Sequence, residues 1–211
     1  MSMCKLKKDQ VGATLIVSLV ILAVITILGV ASMRASNLEL RMAASARDRA
    51  VAFQAAESAL GRVESFIDGN LTIENVLPSC TTNNCFSANC NNGLCFTGDL
   101  QGAVNQDDCR LTSATGELKQ PWKQEDNWAD TSLHRTMSVL SPGLDESGDF
   151  KQIDVRYMIE FLCFVPRDEK AIDDGENSRN NGVPLYRVTV RASGDAGRSA
   201  VALQSVYRAR R

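Results

Sequence analysis

The chain has 211 residues, of which 44% are hydrophobic and 23% charged, with a formal net charge of -2. That length leaves room for one extramembrane domain beside a single membrane span. The near-neutral balance excludes an electrostatic nucleic-acid binder, and Arg208-Ala-Arg-Arg211 reads as a solvated basic tail. Residues 1–12 form a short leader carrying Lys5, Lys7, Lys8 and Asp9 and ending in Val11-Gly12. No charge follows for 24 residues, from Gln10 to Met33. At about 1.5 Å per residue, a helix there crosses a hydrocarbon core of about 30 Å. Thr14, Ser18, Thr26 and Ser32 can return their hydroxyls to the helix backbone, and Gly29 exposes backbone for close packing. Lysines before the span put the N-terminus in the cytoplasm. The small residue before the apolar run is a better cleavage point than anything beyond it.

After Arg34 the polarity changes but helix propensity persists. Met33 to Asp68 holds no proline, one glycine and many alanines. Phe53, Ala56, Leu60, Val63 and Ile67 recur at steps of three and four, predicting one apolar stripe for packing on a sheet. Asp68-Gly69-Asn70 is a stop signal. One helix from Ala13 to Ile67 spans about 80 Å.

Seven cysteines divide unevenly about the span: Cys4 before it, and Cys80, Cys85, Cys90, Cys95, Cys109 and Cys163 after it. An even set on one side of a membrane points to disulfides in an oxidising compartment. That agrees with the charge argument for a periplasmic C-terminal domain. The first four are spaced by five within a run rich in Asn, Thr, Ser and Gly, too polar for a core of its own. Six cysteines permit 15 pairings, and nothing in their spacing chooses among them. Four could also make a tetrahedral zinc site, but thiolates outside the cytoplasm tend to oxidise. Trp122 and Trp128 read as cover for a core edge.

Strand signals dominate the last third. Ile153 to Phe164 is rich in β-branched and aromatic residues, and Leu185 to Ser193 alternates. Gly194-Asp-Ala-Gly-Arg198 turns the chain back into Ser199–Tyr207, a hairpin. Arg167–Pro184 is polar and reads as a loop. The predicted class is α+β: a long N-terminal helix, transmembrane then amphipathic, packed on an antiparallel sheet, with a disulfide-rich loop region. The expected divisions are 1–12 leader, 13–33 membrane half of the helix, 34–68 amphipathic half, 69–152 cysteine-rich polar region and 153–211 sheet.

Catalytic and cofactor signals are lacking. His134, the only histidine, has no nucleophile context and reads as a surface or satisfied residue. No phosphate-binding, dinucleotide-binding or nucleophile-elbow motif occurs. The acidic turns at 145–149 and 173–177 do not fit the ligand spacing of a calcium-binding EF-hand. The expectation is a non-enzyme with no cofactor and no metal.

A basic leader ending in Gly12, then Ala13-Thr-Leu-Ile and a long apolar helix, resembles a prepilin-type, class III signal. Gly29-Val-Ala-Ser-Met33, Arg47-Asp-Arg49, Ala52-Phe-Gln-Ala-Ala-Glu-Ser-Ala-Leu60, Tyr157-Met-Ile-Glu160 and Leu203-Gln-Ser205 resemble the PilX-like minor pilins of type IV pili. The resemblance implies the pilin fold, with a disulfide near its C-terminal part. It implies cleavage between Gly12 and Ala13 by a prepilin peptidase, N-methylation of Ala13, and a helix that becomes filament core. Two residues depart from the usual pilin pattern. Ala13 replaces the common phenylalanine, and Val17 replaces the glutamate usual at the fifth mature position. A subunit without that carboxylate is tolerable where no neighbour needs neutralising, as at a filament tip.

The implied function is priming of pilus assembly within a tip complex, supporting twitching motility and adhesion. The implied partners are other minor pilins, the major pilin, the peptidase and the inner-membrane assembly platform, with room for a large tip adhesin. The implied location is the bacterial inner membrane as a single-pass protein, then the pilus tip at the cell surface. Two alternatives are a minor pseudopilin of a type II secretion system and a membrane-tethered extracytoplasmic binding domain.

Overall fold

In the computed structural model, the described residues are 13–77, 79–96, 120–144, 147–166, 182–194, 197 and 199–209. The chain divides into two units, Met1–Ala46 and Arg47–Arg211. Helix α1 runs Ala13–Asn70, ending within the predicted stop signal.

The described part of the first unit, from Ala13 on, is helix that is exposed almost throughout and apolar and long enough to cross a membrane. Three of its hydroxyls bond back to the helix itself. Ser18 Oγ donates to Leu15 O at 2.9 Å, Thr26 Oγ1 to Ala23 O at 2.8 Å and Ser32 Oγ to Leu28 O at 2.9 Å. Each hydroxyl is thereby satisfied without water, the requirement for a helix facing lipid.

The second unit packs the rest of α1 on a five-stranded sheet. Its strands are β1 Leu94–Cys95, β2 Arg135–Leu144, β3 Phe150–Pro166, β4 Gly182–Ser193 and β5 Ala200–Arg208. The long β3 has β4 along one edge; β2 and β1 share the other. β2, β4 and β5 join antiparallel, whereas β1 pairs parallel to β3 through Leu94 and Ile159. The sheet is therefore mixed, not purely antiparallel. β2 also lies inside the stretch expected to be polar variable region. Its Met137 and Val139 alternate as a strand requires, and Val139 is buried.

The face of α1 against the sheet is made of small residues. Ala52, Ala56, Ala59, Val63 and Ile67 are fully buried, and Ala55 nearly so. Opposite them lie Val155, Ile159, Val188, Val190 and Ala192 in one core. Ala56, Val63 and Ile67 of the predicted stripe belong to this face, and Leu60 packs half-buried at its border. Phe53 does not belong, being 43% exposed. One residue is about 100° of helix, so the step from Ala52 rotates Phe53 off the sheet. Alanines let the helix backbone approach closely, and the buried arc centres on them rather than on the larger side chain.

A register shift between Phe161 and Cys163 interrupts the β3–β4 ladder. The irregularity turns Phe164 back to the side of Phe161, their ring centroids 5.0 Å apart. At the other end, the β4–β5 turn closes on α1. The buried Asp48 carboxylate accepts the Ser199 N–H at 2.9 Å. A Cβ on Gly194 would overlap both the carboxylate and the carbonyl oxygen of Asp48. Gly194→Ala is therefore expected to cost about 1–3 kcal/mol, read by chemical denaturation. An unchanged midpoint would show that this contact gives way freely.

Candidate functional site

The relevant geometry is where each singled-out residue is presented. Gly12 lies outside the described residues, and α1 begins at Ala13. Val17 is 56% exposed on the apolar helix, where the fold itself gives it no packing role.

The cysteine-rich segment is a double-stapled cap on the sheet. Cys80 pairs with Cys85, and Cys90 with Cys95. This use of the four sulfurs removes the zinc alternative, which needs thiolates. Cys163 is disulfide-bonded too, to a partner outside the described residues, and Cys109 also lies outside them. Within the second staple the backbone is tightly turned, with Cys90, Asn92 and Gly93 at φ 60°, 53° and 68°. A Cβ at Gly93 would stand 2.9 Å from the Arg135 backbone nitrogen.

Arg135 ties this cap to the sheet and helix. Its Nε donates to Asn92 O at 2.6 Å and its Nη2 to Asn84 Oδ1 at 2.8 Å. The guanidinium lies 5.1 Å over the Phe66 ring of α1. No local motif announced this role; an arginine opening a strand is usually a solvated end.

The sheet face turned away from α1 carries a second cluster. Cys90, Cys95, Trp128 and Met158 are buried together, with Trp122 against them. Helix α2, Glu125–Ala129, holds Trp128, whose Nε1 donates to Trp122 O at 2.9 Å. Both tryptophans thus cover a core edge. His134 is buried, its Nδ1 3.1 Å from Asn127 O. It is a satisfied structural histidine.

Glu160 and Arg187 form an ion pair at 3.0 Å on the same face, each side chain almost buried. Burial pushes the Glu160 carboxyl above its ordinary range, while the Arg187 guanidinium pulls it down. A carboxyl raised on folding holds its proton more tightly in the native state. Its contribution to stability is present in acid and is lost as pH rises through the folded value. Glu160→Gln stays neutral throughout. The wild-type-minus-variant difference in unfolding free energy should therefore fall as pH rises from about 4 toward about 7. A pH series of urea titrations checks this, and a flat difference would contradict the raised value.

Residues 145 and 146 of the acidic turn at 145–149 lie outside the described residues, as does the whole of the turn at 173–177. Among the described residues no group of three His, Cys, Asp or Glu side chains is placed to hold a metal ion.

A long N-terminal helix that is lipid-compatible first and sheet-packed later, capped by a disulfide-bonded loop, defines a pilin-like protein. Residues 12–60 match the PilX N-terminal family model, and residues 81–209 match that of the type IV pilus assembly protein PilX C-terminal region. The chain belongs to the PilX family of type IV pilus assembly proteins. No curated protein and no solved structure matches it.

Proposed function

We propose that this chain is a minor pilin that primes type IV pilus assembly from the tip complex, supporting pilus biogenesis, twitching motility and adhesion. The carrying observation is Val17, an exposed apolar residue on a span that has no carboxylate at all. A carboxylate in lipid is costly unless paired, and in a pilin filament its pairing group is a neighbour's terminal amine. A subunit with valine there neutralises no neighbour, while its own amine can still receive the next subunit's carboxylate. That asymmetry suits the first subunit laid down. The lengths of the helices support a pilus over a secretion pseudopilus. Between residues 71 and 134, the described helices have only three to five residues.

In this reading the leader is cut between Gly12 and Ala13 and Ala13 is methylated. The helix waits in the inner membrane with its N-terminus cytoplasmic and the stapled domain periplasmic, then enters the pilus. The partners are the peptidase, the assembly platform, other minor pilins, the major pilin and a tip adhesin. Cys109, the one cysteine after the span left without an assigned partner, is the mate of Cys163; non-reducing peptide mapping checks that pair. The main test is Val17→Glu in a piliated strain. The expected result is a shift of this subunit from pilus ends to the shaft in immunogold labelling, with fewer pili. Retention of Met1 in cells with active peptidase, or shaft labelling of the wild type, would sink the proposal.

A further inference from the structure

Strand β5 is the outer strand of the sheet among the described residues, and its free edge is unusually open. The β4–β5 register runs without a shift from Ser193↔Ala200 to Leu185↔Arg208. Two bonds continue that register and fix which residues use their backbone inward. Gly194 N–H donates to Ser199 O at 2.9 Å, and Ala209 N–H to Pro184 O at 3.1 Å. In an antiparallel pair, alternate residues direct both backbone groups to the same neighbour. The odd-numbered residues of β5 are therefore bonded to β4. The N–H and C=O of Ala200, Ala202, Gln204, Val206 and Arg208 point away from it.

Natural edges are blunted by charge, proline or a bulge. Of the outward positions only the last, Arg208, is charged, and the strand has no proline and no bulge. Beside this edge runs a strip of α1. Glu64 Oε1 accepts from Ser205 Oγ at 3.1 Å and Asp68 Oδ2 from Tyr207 Oη at 2.6 Å, which sets that flank of the helix along β5. Phe53, Glu57, Leu60 and Glu64 follow one another at steps of four, three and four, on the same flank. Phe53 and Glu57 are exposed and Leu60 is half-buried. From Phe53 onward the strip alternates apolar and acidic residues and carries no base.

We propose that the β5 edge receives an extended strand of a different pilin subunit, which presents Lys or Arg to Glu57 and apolar side chains to Phe53 and Leu60. Five outward backbone positions supply the ladder, and the helix strip supplies the selection. A second copy of this chain is disfavoured because the α1-facing row of its own edge strand, Val201, Leu203, Ser205 and Tyr207, brings no base to meet the acidic strip, Arg208 belonging to the opposite row. The proposal rests on membership of a filament family, not on a place at the tip. A Val17→Glu redistribution tests the tip reading without touching this edge.

The test places the photocrosslinker p-benzoylphenylalanine at Phe53 in the full chain, in piliated cells. The expected product is an adduct with another pilin, mapped by mass spectrometry to a strand containing Lys or Arg. Ala202→Pro removes only an outward N–H and leaves the β4–β5 ladder intact, so the adduct should fall about tenfold. Glu57→Lys, a surface change, should lower it several-fold. Thermal unfolding of each detergent-solubilised variant is measured beside the adduct. If Ala202→Pro unfolds early, Val206→Pro and Glu57→Lys decide. No adduct, an adduct between two copies of this chain, an adduct with a protein that is not a pilin, or an adduct indifferent to these substitutions in folded protein would overturn the proposal.

Discussion

Replacing Phe161 by alanine is expected to lower the unfolding free energy of the detergent-solubilised chain by about 3–5 kcal/mol, read as a lower urea midpoint. Phe161 is the centre of an aromatic cluster. Its ring lies 6.3 Å from Phe86, 5.3 Å from Phe96, 5.0 Å from Phe164 and 5.8 Å from Tyr186. These neighbours come from the cysteine-rich segment, from β3 itself and from β4. One truncation thus removes contacts in three parts of the chain. The residue is almost fully buried, so the cavity term adds to the transfer term. Natural domains have about 5–15 kcal/mol in total, so roughly a fifth of the stability or more is at stake. Phe150→Ala is the matched control. Phe150 is 61% exposed, and its loss should stay within about 0.5 kcal/mol. Equal effects of the two would mean that Phe161 is not the hub its geometry describes.

The two local disulfides offer a second, internally controlled comparison. Both close over a sequence separation of 5, so their chain-entropy contributions are equal, roughly 2 kcal/mol each on the loop-closure account. Their surroundings differ. Cys80 and Cys85 are half-exposed, whereas Cys90 and Cys95 are 2% and 0% exposed beside Trp128 and Met158. Cys80→Ala with Cys85→Ala should cost about 2 kcal/mol. Cys90→Ala with Cys95→Ala should cost about 4 kcal/mol, because buried sulfur is removed as well as a crosslink. Equal midpoint shifts would assign both costs to the crosslink alone.

Much of this architecture can be read from the amino acids. The lipid-facing helix follows from a run without charge, and β3, β4 and β5 follow from alternation and turn residues. Even the back-bonded hydroxyls of Ser18, Thr26 and Ser32 follow from their place in an apolar helix. The helix–sheet interface was harder, because alanine contributes little to a hydrophobic stripe. Ala52, Ala55 and Ala59 carry the contact while the conspicuous Phe53 faces outward. β1 has only two residues and pairs with a partner some sixty-five positions later, a length at which no periodicity exists. The cysteine spacing was uninformative because every neighbouring pair from 80 to 95 has the same separation of 5, and the turn through Cys90, Asn92 and Gly93 at positive φ has no signature in that spacing. Arg135 and the Glu160–Arg187 pair depend wholly on what the fold brings beside them.

The bonds between α1 and β5 have a kinetic consequence. They join residues 139, 141 and 151 positions apart: Asp68 to Tyr207, Glu64 to Ser205 and Asp48 to Ser199. Contacts of such high order are slow to form, since the loop entropy must be met before they return anything. Helix α1 emerges from the ribosome well before β5 and receives this partner only when β5 has been made. Until then the α1 strip and the β4 edge both stand open, and a truncation of ten residues at the C-terminus would leave them so. Synthesis of β5, rather than formation of the helix, sets the earliest moment at which this subunit can become a closed body.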